Sequence, residues 1–365
     1  MKRLILIVLV TLLCMAGWVG VTLVAASEGW WRKPLVTSDA PDVFMSAARE
    51  LVEDENNGNF AMVLLDEGEV AGSHYASIGQ PVDGDTLFQV ASLSKWLAAW
   101  GVMRLIEDGA VDLDAPVSTY LTRWSLPASS YGNEGVTIRR LLSHTAGLGD
   151  GLGYNGFEKR DDVQSLEASL SKAGDASPAA NGTLAVVQEP GSEWDYSGGG
   201  YTLLQLLIEE VSGQSFGDYM KARVFEPLGM DRSTFDFDEA REAGLAENYR
   251  LDGETEPFRY YTALAATSAF TSANDLTAFA KAQIPALIDE SETVLRQATL
   301  RQMRSPHASQ LGADIWGLGV MLYAPNNTGD FIIGHDGNNE PAINSAVRVD
   351  PVTGSGIIIL TTGND

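Results

Sequence analysis

The tetrapeptide Ser-x-x-Lys occurs twice in this chain with identical letters, as Ser92-Leu93-Ser94-Lys95 and as Ser169-Leu170-Ser171-Lys172. Residues three apart on a helix share a face, so such a lysine can reach the serine hydroxyl. A hydroxyl that can pass its proton to a neighbouring base becomes a nucleophile towards a carbonyl carbon. Two fixed positions in four make a weak pattern, and context has to separate the copies. Ser92 leads into the apolar stretch 97–106, the clearest helix in the chain, with Leu97, Val102, Leu105 and Ile106 as anchors and Asp108-Gly109 as its stop. The start of a helix also offers free N–H groups and a positive dipole end. Ser169 is followed by Ala173-Gly174-Asp175, which reads as a helix end. Ser92 is the candidate nucleophile and Ser169 is background. On the tetrapeptide alone, a plain helix N-cap with Lys95 solvated outside is an equal reading.

Two later stretches bear on that choice. Trp194-Asp195-Tyr196-Ser197-Gly198 stands just before a helical stretch, where the Tyr196 phenol could relay a proton with Lys95. Gly334-His335-Asp336-Gly337 closes a strand near the C-terminus. There a glycine lets substrate approach the backbone, and His335 brings a hydrogen-bonding group. Each is bland alone: Tyr196 reads equally as a core aromatic and His335 as a turn histidine. Three in order, each in its context, are much less expected by chance.

In that order these motifs resemble the class C β-lactamase and penicillin-binding serine hydrolase family, which also includes D-peptidases and esterases. The stretches 141–148 (Leu-Leu-Ser-His-Thr-Ala-Gly-Leu), Pro190-Gly191 and 225–230 (Phe-Glu-Pro-Leu-Gly-Met) match the same family, and the likeness runs from about residue 61 to the end. The resemblance implies a two-step acyl transfer on a small-molecule ester, amide or peptide. Ser92 attacks, Lys95 and Tyr196 share the base role, and water releases the acyl group. The oxyanion is then held by the N–H groups of Ser92 and Asn338, and His335, beside Gly337, donates near the far end of the substrate. His144 is structural in its loop, and neither a Ser-His-Asp triad nor a cofactor is implied. Two departures weaken the case for β-lactamase activity. The second motif often ends in Asn where this chain has Gly198. The third has His335-Asp336 in place of Lys-Thr, and an inward-facing Asp336 opposes an anionic substrate.

The elements that must position these residues follow from pattern. Residues 60–65 and 72–79 are β-rich and joined by Asp66-Glu67-Gly68, a hairpin. Helical stretches at 138–142, 201–211, 216–224 and 294–303 fill a middle region, and 150–181 reads as a mobile polar insertion. Strand-like runs return at 316–323, 330–333, 343–349 and 356–361. The expected fold class is therefore α/β plus α, β-lactamase/transpeptidase-like. An antiparallel sheet from about 60–92 and 312–365 is flanked by helices, with a mostly helical region inserted at about 93–311. The organisation is an N-terminal segment 1–27, a linker 28–42 and one hydrolase domain 43–365. The end at Asp365, directly after a strand, points to a trimmed or incomplete C-terminus.

Composition narrows the rest. Hydrophobic residues make up 45% of 365, enough for a sizeable core. With 49 Asp and Glu against 24 Lys and Arg, the net charge of −25 repels a phosphate backbone, so nucleic acid is an unlikely partner. The only cysteine is Cys14, and the four histidines have no ligand spacing, so neither a disulfide nor a metal site is expected. Lys2 and Arg3 precede an apolar run at 4–26, followed by Trp30 and Trp31. That length suits an uncleaved inner-membrane anchor slightly better than a cleaved signal peptide, and either leaves the domain extracytoplasmic. Two other function classes compete: a ligand or β-lactam sensor that keeps the fold without turnover, and a cell-surface structural protein indifferent to loss of Ser92.

Overall fold

The hairpin expected at Asp66-Glu67-Gly68 is present: β1 (Asn59–Asp66) and β2 (Glu69–Ser77) pair antiparallel, with Asp66 opposite Glu69. The linking residues Glu67 and Gly68 have φ of 50° and 80°. Positive values at both positions give a two-residue turn the twist of its flanking strands. This computed structural model describes residues 11, 14–15, 17–22, 34–38, 40–149, 154–178, 180–289, 293–326 and 328–364. Two compact units divide the chain, 1–48 and 49–365. Most of the apolar run at 4–26 and residues 28–33 and 39 of the linker lie outside the described residues; 17–22 are helical. Among the described residues no helix is long and apolar enough to cross a membrane. The helix labelled α1 spans Pro41–Glu55.

The sheet is built from both ends of the chain, as the pattern predicts. Its order is β2-β1-β10-β9-β8-β7-β6-β5, and every pairing is antiparallel. The later strands are β5 (Ala308–Gln310), β6 (Ala313–Trp316), β7 (Met321–Pro325), β8 (Phe331–Asn339), β9 (Ile343–Val349) and β10 (Gly356–Thr362). The run expected as one strand at 316–323 is broken. A turn at Gly317-Leu318-Gly319 separates β6 from β7, since a Cβ on Gly317 would lie 2.0 Å from the Met303 carbonyl oxygen and one on Gly319 2.2 Å from Ala99 Cβ.

Between these strands lies the helical region. A two-stranded ribbon, β3 (Phe88–Gln89) with β4 (Phe270–Thr271), leads into α2 (Ser94–Glu107). Then follow α3 (Ile138–Leu142), α4 (Leu166–Ser171), α5 (Gly198–Ser212), α6 (Phe216–Met220), α7 (Phe237–Glu242), α8 (Leu264–Thr267), α9 (Ala273–Lys281) and α10 (Gln297–Met303). Helix α2 is buried nearly all round, because Trp96, Trp100 and Gly101 fill the sides that the four expected anchors leave open. Phe279 of α9 meets both tryptophans edge-on or tilted, with centroids 4.9 and 5.1 Å away. The segment 150–181 is more than a polar insertion. It carries α4, and Leu166, Leu170 and Ala173 are buried in the main core.

Candidate active site

The approach to Ser92 is strained and clamped. Ala91, fully buried, has φ of 47°, a left-handed value that costs a non-glycine residue of order 1–3 kcal/mol and persists only where surroundings over-determine it. Here they do. The hydroxyl of Ser94 donates to the Ala91 carbonyl (2.6 Å) and accepts from the Ala269 N–H (2.8 Å), while the hydroxyl of Ser345 on β9 donates to the Val90 carbonyl (2.8 Å). Ser92 is thus presented, half-buried, on a fixed turn two residues ahead of α2.

Lys95 is buried rather than solvated, with 2% of its surface exposed. Its Nζ donates to Ser92 Oγ at 3.0 Å and to the Ala266 carbonyl on α8 at 2.7 Å, and lies 4.8 Å from the centroid of the Tyr196 ring. A buried cation is tolerated only with such partners. The α8 carbonyl is itself held by α5: Gln205 donates to the Thr262 carbonyl and accepts from the Ala265 N–H, both at 3.2 Å. The structure therefore brings Ser92, Lys95 and Tyr196 together. Ser169 and Lys172 are not so arranged. The first is buried in α4; the second lies beyond its end in extended backbone, donating to the Asn181 carbonyl.

Strand β8 supplies the opposite wall. Gly337 faces Ser92: a Cβ there would lie 2.2 Å from the Val90 oxygen and 3.0 Å from the Ser92 nitrogen. Pairing with β7 stops at Gly334, whereas pairing with β9 continues to Asn339, so the β8 edge from His335 to Asn339 has no strand beside it among the described residues. The Asn338 side chain is exposed and donates to Asn344 at 2.6 Å, leaving its backbone as the part beside the site. Asp336 points to the other face, bound by both guanidinium nitrogens of Arg348 at 2.6 and 2.9 Å and by the Tyr323 hydroxyl at 3.0 Å. It does not oppose a substrate anion.

His335 requires a correction. Expected as a donor towards substrate, it is fully buried, edge-on to Trp316 with centroids 5.4 Å apart. Its Nδ1 donates to the Asp336 carbonyl at 2.5 Å, which leaves Nε2 a bare acceptor, buried without a partner. Burial, and then the charge of Lys95, push its pKa down to about 3, so it is neutral. His144 is the complementary tautomer: Nδ1 accepts from the Ser197 N–H at 3.0 Å, leaving Nε2–H buried and unpartnered. Burial, with Lys95 and His335 adding to it, holds His144 well below the usual histidine range. Its ring lies 4.4 Å from Tyr196 and 4.7 Å from Trp316. This histidine holds Tyr196 from behind. Sequence carried no sign of the Ala266 carbonyl, of Gln205 or of Trp316, because each acts through backbone or contacts set by distant segments.

A serine hydroxyl 3.0 Å from a buried lysine, beneath an antiparallel sheet and beside a tyrosine, defines a serine–lysine site. The family model described as Beta-lactamase matches residues 44–365, and the chain belongs to that family. Among curated relatives, it is 33% identical over 189 residues to "Penicillin-binding protein 4*" of Bacillus subtilis, covering 50% of this chain and 39% of the relative. It is 35% identical over 188 residues to "Esterase EstB" of Burkholderia gladioli, covering 50% and 46%. These matches span less than half of the relatives' own length. Among solved structures, a penicillin-binding protein from Bacillus halodurans superposes with a TM-score of 0.67 at 23% identity, over 87% of this chain and 94% of that one, a likeness of fold.

Proposed function

We propose that this chain is a serine hydrolase that works through an acyl-enzyme on Ser92, acting on an ester or amide. The observation that carries this reading is the 3.0 Å contact of Lys95 Nζ with Ser92 Oγ, held by the Ala266 carbonyl inside a buried shell. In the first step the Ser92 Oγ–H bond breaks as the Oγ–carbon bond forms, and the proton passes to the Lys95–Tyr196 pair as base. The oxyanion lies between the N–H groups of Ser92 and Asn338, consistent with the closeness of Gly337 to Ser92. Collapse expels the leaving group, which takes the proton. Water then gives a proton to the same pair as its oxygen bonds the acyl carbon; collapse breaks the Oγ–carbon bond, the pair returns the proton to Ser92 Oγ, and the acid leaves.

Simple esters are the first substrates to try. Neutral, buried His335 and outward-facing Asp336 put no charge of the Gly334–Gly337 stretch beside the nucleophile, and Arg259, with Glu256 and Glu340, lines the cleft farther along at Asn338 and Asn339. The test is hydrolysis of p-nitrophenyl butyrate by the purified chain and by Ser92→Ala, with fluorophosphonate labelling mapped by mass. We expect labelling at Ser92 and a loss of turnover by about 10³-fold or more in the variant. Unchanged turnover in Ser92→Ala overturns the assignment, and a stable Ser92 adduct without ester turnover favours a sensor. We also propose that residues 4–26 anchor the chain to the inner membrane with the hydrolase outside, on the strength of Lys2 and Arg3 before the run and Trp30 and Trp31 after it. Protease added to intact spheroplasts should remove the hydrolase domain; full protection refutes this placement.

A further inference from the structure

Gly198 opens α5 two residues after Tyr196. Its φ is not among the positive ones, so its backbone does not demand glycine. Space does. A Cβ there would lie 2.2 Å from Cε2 of Tyr154, and 3.1 and 3.2 Å from two further atoms of that ring. The ring is fixed across the first turn of the helix. Its hydroxyl is hydrogen-bonded to Thr202 Oγ1 at 2.6 Å, and Thr202 donates to the Gly198 carbonyl at 3.1 Å. Tyr154 also lines a cleft of about 560 Å³ whose other wall includes Asn338 and Asn339, next to Gly337 and so to Ser92. An aromatic face from the 154–181 segment therefore occupies the place that a side chain at 198 would fill.

Resting on the hydrolase reading above, we propose that Tyr154 is the specificity-determining residue of the site. Its ring forms a wall that accepts an acyl group by its apolar or planar face, in the space that a side chain at 198 would otherwise take. The pocket is thereby tuned to simple esters and against acyl groups that need an amide anchor, such as the side chain of benzylpenicillin. An aromatic ring offers large contact area but no amide donor or acceptor beyond its hydroxyl, and Thr202 already engages that hydroxyl.

The experiment compares the unsubstituted chain with Tyr154→Ala, Tyr154→Phe, Gly198→Asn and the double variant Tyr154→Ala/Gly198→Asn. Steady-state kinetics on p-nitrophenyl butyrate and the rate of Ser92 acylation by benzylpenicillin, followed by intact mass, are the two readouts. Tyr154→Ala should raise KM for the ester about 10-fold while kcat stays within about threefold, and Tyr154→Phe should restore KM because it keeps the ring. Gly198→Asn alone meets the ring and should lose ester turnover at least 10-fold. The double variant should acylate with benzylpenicillin at least 10-fold faster than the unsubstituted chain. An ester KM unmoved in Tyr154→Ala overturns the proposal, even if the double variant does not fold; so does unchanged acylation in a folded double variant. Absence of Ser92-dependent ester turnover in the unsubstituted chain is a different failure, that of the hydrolase reading itself.

Discussion

The two Ser-Leu-Ser-Lys tetrapeptides share every letter and almost nothing else. After Ser92 the helix runs twelve residues past Lys95, to Glu107, and the lysine is pulled inward by a hydroxyl, a carbonyl and a ring face. After Ser169 the helix stops at Ser171; Lys172 falls into extended backbone with φ of −160° and turns to a surface carbonyl. In the first copy the chain from Ser92 to Lys95 makes one helical turn, with the Lys95 N–H on the Ser92 carbonyl at 3.0 Å, whereas in the second the backbone leaves the helix before the lysine. What makes the first copy chemical is therefore what meets it: its own Ser94 clamps the preceding turn between Ala91 and Ala269, and α8 is brought alongside by Gln205.

The largest effect expected from breaking this comparison is at the lysines. Lys95→Met should lower ester turnover by about 10³-fold or more, since it removes the base and leaves the hydroxyl unactivated. Lys172→Met should leave kcat/KM within about twofold. Equal losses at both positions, measured on p-nitrophenyl butyrate, would falsify the separation of the two copies.

Next in size is a change that leaves the tetrapeptide intact and disturbs only its surroundings. Gly337→Ala places a Cβ against the Val90 oxygen and the Ser92 nitrogen. Something must shift, and displacement of a nucleophile by about 1 Å costs on the order of 10²-fold in rate. Circular dichroism should show the sheet retained while kcat falls. Full activity in Gly337→Ala contradicts the closeness of β8 to the nucleophile.

The same contrast explains how much was legible in the residues. The sheet from both chain ends could be read because its strands are bounded by Gly, Asn and Asp turns, and Ser92, Tyr196 and Gly337 because the motifs fall in order beside strong elements. His335 was legible as a motif but not as a buried group, since burial on β8 depends on Trp316 arriving from β6. Tyr154 was hidden because Gly198 declares only that a side chain is missing, not what fills the gap. The turn that splits 316–323 was hidden for a related reason: its glycines respond to Met303 and Ala99, distant in sequence.

Only the first tetrapeptide sits above buried neutral histidines, which gives it a pH signature that the second lacks. An unfolded imidazole takes a proton near pH 6.5, whereas folded His335 resists until about 3. In that interval protons bind the unfolded chain preferentially, so stability is full above about pH 6.5 and falls as pH drops. Each such histidine contributes a slope of up to about 1.4 kcal/mol per pH unit. Asp175 and Asp275, raised by burial, act in the opposite sense, so the readout is a difference. His335→Gln should flatten denaturant midpoints between pH 4.5 and 6.5 relative to the unsubstituted chain. Parallel curves mean that His335 titrates normally in the fold.

The smallest effect belongs to the second copy and has the opposite sign. Ser169 Oγ is buried without a hydrogen-bond partner, between Leu166 and Leu170 on the inner side of α4. A buried hydroxyl left unsatisfied is destabilising by about 1–3 kcal/mol, so deleting it removes a burden rather than a contact. Alanine also has the higher helix propensity. Ser169→Ala should therefore stabilise the chain by about 1 kcal/mol, a rise in Tm of roughly 2 °C, with kcat/KM on the ester unchanged. A fall in Tm would mean that the hydroxyl has a partner in solution, and a fall in turnover would mean that the second serine reaches the chemistry after all. The same substitution in the two copies should thus give one protein that is inert and another that is slightly more stable, from identical local sequence.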